Sequence, residues 1–276
     1  MKTFLNKLRS SIVRTNGLLC VGLDPDPARI PPEYGRGADA AFQYNRMVVE
    51  ATADLACAYK PNLAFYERYG AEGIRALERT LSVIPAHTPT IADAKRGDIA
   101  NTSEAYAEAL FGALGFDSAT VSPYLGLEAL RPFLDWEGKG VWILCRTSNP
   151  ESTEFQSILA NGEHGVEPLF LHVARAVARL DSRAVAGLVV GATACGDVQR
   201  VRAVAPDAPL LIPGVGLQGG ELEEAVGVHG QAPALINASR SILFPAGGEP
   251  TPARVRSAAQ TVHAQISDLL AVKASA

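Results

Sequence analysis

The sequence has little with which to build a disulfide framework or a metal centre. Its four cysteines, Cys20, Cys57, Cys145 and Cys195, lie far apart and form no C-x-x-C pair. Three of them sit in apolar runs, so they read as small buried hydrophobes of a reducing compartment. The five histidines show neither H-x-H nor H-E-x-x-H spacing, which leaves a zinc site without support. No apolar run approaches membrane-spanning length. Lys2, Lys7, Arg9 and Arg14 interrupt the N-terminal apolar residues where a signal peptide needs an unbroken core. A cytoplasmic location is the resulting expectation. A large excess of one charge is missing too. A net charge of -4 and a pI near 5.8 argue against nucleic acid or an anionic membrane as partner. They leave room for a locally positive pocket that takes a small anion.

What is present is an ordinary globular composition, 47% hydrophobic and 20% charged, enough for a large core. Phe4, Leu5, Leu8 and Ile12 are spaced as one face of a short N-terminal helix. Eight β-like runs follow, at 18–23, 58–62, 89–95, 119–122, 141–146, 187–191, 210–214 and 234–238. Amphipathic segments separate them at 40–56, 67–82, 101–114, 127–134, 166–180, 197–204 and 220–226, and a last helix over 252–272 closes the chain. Eight alternations over about 250 residues predict an α/β fold, a (β/α)8 TIM barrel filling residues 1–276 as a single domain. An open doubly wound sheet is the alternative, but no G-x-G-x-x-G follows the first strand. The stretch 146–165 reads as a long loop after the fifth strand.

Polar residues collect where the predicted strands end: Asp24, Lys60, Asp93 with Lys95, Ser122, Thr147 with Ser148, Thr193, Gly214 with Gly216, and Arg240. In a parallel barrel those ends meet at one mouth, which argues for an enzyme. The centre of the pattern is Ile91-Ala92-Asp93-Ala94-Lys95-Arg96-Gly97-Asp98. Strand alternation turns Ile91, Asp93 and Lys95 one way and the two alanines the other. Carboxylates and ammonium groups crowded at one strand end are costly unless a ligand or a partner meets them. A structural salt-bridge network is the plainer alternative. Asn101 and Glu104 have the spacing of a capping box, which would release Asp98 from starting the next helix. Farther on, the glycines of 214–220 and the guanidinium of Arg240 suit a phosphate held by loops seven and eight. The run Arg146-Thr147-Ser148-Asn149-Pro150 can read a polar ring or can be an ordinary turn.

The segment 91–102 resembles the signature of the orotidine 5′-phosphate decarboxylase family, and its internal Arg-Gly resembles the longer bacterial (type 2) branch. Gly22-Leu23-Asp24-Pro25, Tyr59-Lys60-Pro61-Asn62, Thr147-Ser148-Asn149-Pro150, Pro213-Gly214-Val215-Gly216 with Gln218, and Ser239-Arg240-Ser241-Ile242 resemble it as well, in order across nearly the whole chain. Glu151 departs from the small residue expected after Asn149-Pro150. The resemblance implies decarboxylation of orotidine 5′-phosphate to uridine 5′-phosphate without a cofactor. Lys95 would stabilise and protonate the C6 carbanion, and Asp93 would sit by the departing carboxylate and hold Lys95. Lys60 and Asp24 would meet ribose hydroxyls. Asp98, Ile99 and Thr102 would reach into a neighbour's site across a homodimer interface. Ser148 would bond the pyrimidine, and Gly216, Gln218 and Arg240 would hold the 5′-phosphate. Activity should then survive exhaustive chelation and dialysis, measured on the dialysed enzyme with and without added metal.

Three rivals accompany this reading. A Mg2+-dependent phosphosugar decarboxylase or aldolase-like barrel could use the same carboxylates for metal, but Lys60 puts a cation where a metal site wants an acidic or neutral group. A Schiff-base aldolase needs a neutral amine, whereas carboxylates on either side favour the cation. A non-catalytic phosphate binder would have no use for the full set of charges.

Overall fold

The computed structural model describes residues 3–192, 196–214 and 220–275. Among the described residues ten strands run in chain order: β1 Leu19–Leu23, β2 Ala58–Pro61, β3 Ile91–Arg96, β4 Ser118–Val121, β5 Gly140–Arg146, β6 Leu159–Gly162, β7 Gly165–Pro168, β8 Val185–Val190, β9 Leu210–Pro213 and β10 Ala234–Ala238. Eight of them form one parallel sheet in the order β2-β1-β10-β9-β8-β5-β4-β3. The two outer members, β2 and β3, meet through the isolated parallel bridges Tyr59–Thr90 and Asn62–Asp93, so the sheet curls into a nearly closed (β/α)8 barrel. All eight predicted strands are there, with ends shifted by at most two residues.

The period of two along each strand sorts side chains into two cores. Outward residues such as Val21, Tyr59, Ala92, Ala119, Ile143 and Leu188 pack under the helices in one large buried cluster. Inward residues Cys20, Ala58, Ile91, Trp142, Val189, Leu211 and Leu235 form a second cluster inside the barrel. The helix Phe4–Thr15 plugs that interior from below. Thr3 caps it by accepting the Asn6 N–H, and Asn16 ends it in the left-handed conformation. Phe4 packs edge-on against Trp142 with ring centroids 5.9 Å apart, over Gly140, where an added Cβ would come within 2.5 Å of the Phe4 ring. Lys7 pairs with Asp117 at 2.7 Å to fix the plug at the rim.

Three elements differ from expectation. From the end of the expected loop 146–165 into the expected helix 166–180 the chain forms the antiparallel hairpin β6–β7, and the helix starts only at Leu169. Neither strand has a buried face, so no alternation marked it. The helix after β3 passes into a π-helical turn at Glu108–Ala113, which buries the consecutive residues Leu110 and Phe111 together. After β4 there is a 3-10 turn, Glu128–Leu130, and one helical turn, Arg131–Leu134, instead of a full helix over 127–134. Among the described residues no helix is long and apolar enough to cross a membrane.

Candidate active site

The upper layer of the barrel interior is polar, and β3 supplies its centre. Opposite β4, the strand advances from Ala92 to Arg96 while its partner advances only from Ala119 to Val121. The extra residues make a bulge, and Lys95 takes a left-handed backbone with φ of 48°, which costs a non-glycine residue on the order of 1–3 kcal/mol. A bulge of this kind re-aims side chains at a strand end. Here it keeps Asp93 and Lys95 together on the interior side.

Asp93 holds a cation on each oxygen: Lys60 Nζ donates to Oδ2 at 2.6 Å, and Lys95 Nζ donates to Oδ1 at 2.5 Å. Lys60, at the end of β2, is buried, whereas the Lys95 side chain is half exposed. Burial opposes charge on Asp93, but Lys60 and then Lys95 outweigh it and leave the carboxyl at about 2. Burial likewise pulls the Lys60 ammonium down, and Asp93 and Asp24 more than restore it, so its value ends above normal. At neutral pH the Asp93 carboxylate is therefore ionised and Lys60 keeps its charge.

Asp93 and Lys60 line an open cavity of about 950 Å³ with Asp24, Ser148, Pro213, Gly214, Asn237, Ser239 and Arg240. Asp24 follows β1, with its pKa raised chiefly by burial and only partly countered by Lys60. Its Oδ1 and the Oδ1 of Asn237 are buried acceptors with no hydrogen-bond partner. Two orphaned acceptors on a cavity wall suit a ligand that brings hydroxyl donors. The close approach of β1 to the end of β10 depends on Gly22, whose added Cβ would fall 1.9 Å from Ser239 Oγ.

The segment carrying Ser148 is tied down from below. Gln156 accepts the Thr147 N–H at 2.8 Å and donates to the Thr147 hydroxyl at 2.8 Å. Arg146, buried at the end of β5, bonds the Ser152 hydroxyl and donates to Asp197 at 3.0 Å. Glu151 is exposed at the start of the turn Pro150–Ser152.

Asp24, Lys60, Asp93, Lys95, Ser148 and Arg240 thus converge on one mouth. Asp98, Ile99 and Thr102 do not. Asp98 makes no ion pair with Lys95 or Lys60 among the described residues, and its carboxylate accepts the Ile99 N–H at 2.8 Å. Ile99 and Thr102 are exposed. The predicted capping box is not formed, because the helix Ala100–Ala107 starts earlier, with Ile99 at the cap position and Asn101 inside the first turn. The Ser103 hydroxyl ties the turn instead, accepting the Asp98 N–H and donating to the Asp98 carbonyl at 2.6 Å. Gly216, Gln218, Thr193 and Cys195 lie outside the described residues. The other three cysteines are buried, and burial pushes the Cys20 and Cys145 thiols up to about 12. Among the described residues no three His, Cys, Asp or Glu side chains form a metal-holding group.

Two interior residues escaped the sequence reading. Asn237 stood inside an apolar strand. Thr120 stood in Ser118-Ala119-Thr120-Val121-Ser122, where hydroxyls at every second position were the available signal for an inward polar face.

Residues 17–249 match the family described as orotidine 5′-phosphate decarboxylase / HUMPS. The chain is 52% identical over 246 residues to a protein named orotidine 5′-phosphate decarboxylase from Thermomicrobium roseum, covering 88% of this chain and 87% of the relative. It is 47% identical over 259 residues to one of the same name from Herpetosiphon aurantiacus, covering 93% and 95%. Among solved structures, the OMP decarboxylase of Leishmania donovani superposes with a TM-score of 0.83 at 35% identity, over 97% of this chain and 98% of the other.

Proposed function

The chain belongs to the orotidine 5′-phosphate decarboxylase / HUMPS family, and on that premise we propose that it converts orotidine 5′-phosphate to uridine 5′-phosphate and CO2, the last step of UMP synthesis. The observation that carries the choice of chemistry is Asp93, with an ammonium on each of its two oxygens at the barrel mouth. A metal ion would have to displace one of them, which disfavours a Mg2+ enediolate reaction at this carboxylate.

As CO2 leaves, negative charge moves from the substrate carboxylate to C6 of the ring. The total charge is constant, so a nearby cation helps only if it lies better for the carbanion than for the carboxylate. Lys95 meets that condition in this reading: anchored on Asp93, its Nζ faces the ring carbon, stabilises the electron pair left by C–C cleavage, and delivers one N–H proton to form C6–H. A cation about 4 Å from the charge interacts by roughly 4 kcal/mol at an effective dielectric of 20. If part of that is differential, the gain is about 10²-fold, at roughly 1.4 kcal/mol per decade. Asp93 adds repulsion against the departing carboxylate.

Lys60, Asp24 and Asn237 serve the ribose, the two orphaned oxygens accepting its hydroxyl protons. Ser148 bonds the pyrimidine. Arg240, with Gly216 and Gln218, holds the phosphate, whose binding energy draws the loops over the ring. Asp98, Ile99 and Thr102 complete the site of a second copy in a homodimer, which fits the exposure of Ile99 and Thr102. Residues 1–276 act as one barrel domain in the cytoplasm.

Turnover of orotidine 5′-phosphate, followed by the loss of its ultraviolet absorbance, tests the proposal. A purified, folded chain that leaves the absorbance unchanged would refute it.

A further inference from the structure

The bulge in β3 takes the N–H groups of Ala94 and Lys95 off the ladder to β4, and one side chain collects both. The Thr120 hydroxyl, buried on the interior face of β4, accepts the Ala94 N–H at 3.0 Å and the Lys95 N–H at 3.0 Å. Its own proton has two acceptors within reach: Asp93 Oδ1 at 3.2 Å and the Ala92 carbonyl at 3.4 Å. The nearer one is also the ionised one, and a charged acceptor makes the stronger bond. A hydroxyl has one donor and two acceptor positions, and all three are then used. Threonine is suited to this because its β-branched side chain has few χ1 states to lose on a strand.

We propose that Thr120 is a positioning residue for the reaction: it holds Lys95 in its left-handed backbone conformation and orients the Asp93 oxygen on which the Lys95 ammonium rests. One hydroxyl thus fixes both members of the pair, the lysine through its backbone and the carboxylate through its side chain. Thr120 acts through them, bonding the Asp93 oxygen that also carries the Lys95 ammonium. This inference rests on the role proposed above for Lys95 and Asp93.

Four purified enzymes decide it: wild type, Thr120→Val, Thr120→Ser and Thr120→Ala, with kcat, KM for orotidine 5′-phosphate, UMP affinity and thermal midpoint measured for each. Valine keeps the branched shape and removes the oxygen, while serine and alanine both lack the methyl and differ by the oxygen alone. Thr120→Val should lower kcat by on the order of 10- to 100-fold, the loss expected for one hydrogen bond to a charged group, with KM and UMP affinity within about threefold. Thr120→Ser should keep most of the wild-type kcat, and Thr120→Ala should fall with the valine variant. If Thr120→Val does not fold, the serine and alanine pair carries the same comparison. Equal kcat for serine and alanine, corrected for folded fraction, overturns the proposal. So does a loss that runs in parallel through kcat, UMP affinity and thermal midpoint, the mark of a structural defect. A wild type that fails to turn over the nucleotide refutes the decarboxylase reading instead, which separates the two failures.

Discussion

Asp93 links stability to chemistry within a single residue. Its pKa of about 2 lies below the 3.8 of a free carboxyl, so its stabilising contribution is complete above about pH 4 and is lost as pH falls through 2. The size is on the order of 2 kcal/mol. Urea unfolding at about pH 5 and pH 3 should therefore show a weaker acid dependence in Asp93→Asn than in wild type. Lys95 and Arg240 should divide kinetically, since one is near the reacting carbon and the other holds the phosphate in the proposed site. Lys95→Ala should lower kcat by on the order of 10²-fold or more with little change in UMP affinity. Arg240→Ala should mainly raise KM and weaken UMP binding. Steady-state kinetics beside product titration would show whether the two profiles differ as expected.

At the scale of elements, the two ends of the barrel do different work. The lower end is closed by the helix Phe4–Thr15, and Phe4 is almost fully buried against Trp142 and Gly140. Phe4→Ala should cost about 3 kcal/mol of stability and leave kcat at low temperature near wild type, because the plug lies at the opposite end from the charges. Thermal unfolding and kinetics on one preparation test both halves. The elements most legible in the sequence were short buried apolar runs that end in polar residues. All eight barrel strands qualify, because outward apolar residues and terminal polar ones mark them. The hairpin β6–β7 was hidden because both its faces meet solvent. The start of the helix after β3 was misjudged because Ser103, rather than Asn101, ties that turn. The D-x-K-x-x-D spacing gave Asp93 and Lys95. It could not give Thr120, whose place depends on a bulge between two strands, a property of their pairing rather than of either strand alone.

For the whole molecule, the exposed positions of Ile99 and Thr102, beside a half-buried Asp98, make the proposed second copy testable by complementation. Lys95→Ala and Asp98→Ala, each inactive alone, should recover about one quarter of wild-type activity when refolded together in equal amounts. Half of a random mixture is mixed dimer, and each mixed dimer holds one undamaged site of two. No recovery would place Asp98 in its own chain's site. The barrel wall is lightly bonded between β2 and β3, where isolated bridges replace a continuous ladder. Lys60 stands on one side of this seam and Asp93 on the other, 2.6 Å apart. The ion pair that faces the reactant is therefore also a clasp on the cylinder, and whatever tugs on that carboxylate tugs on the hoop.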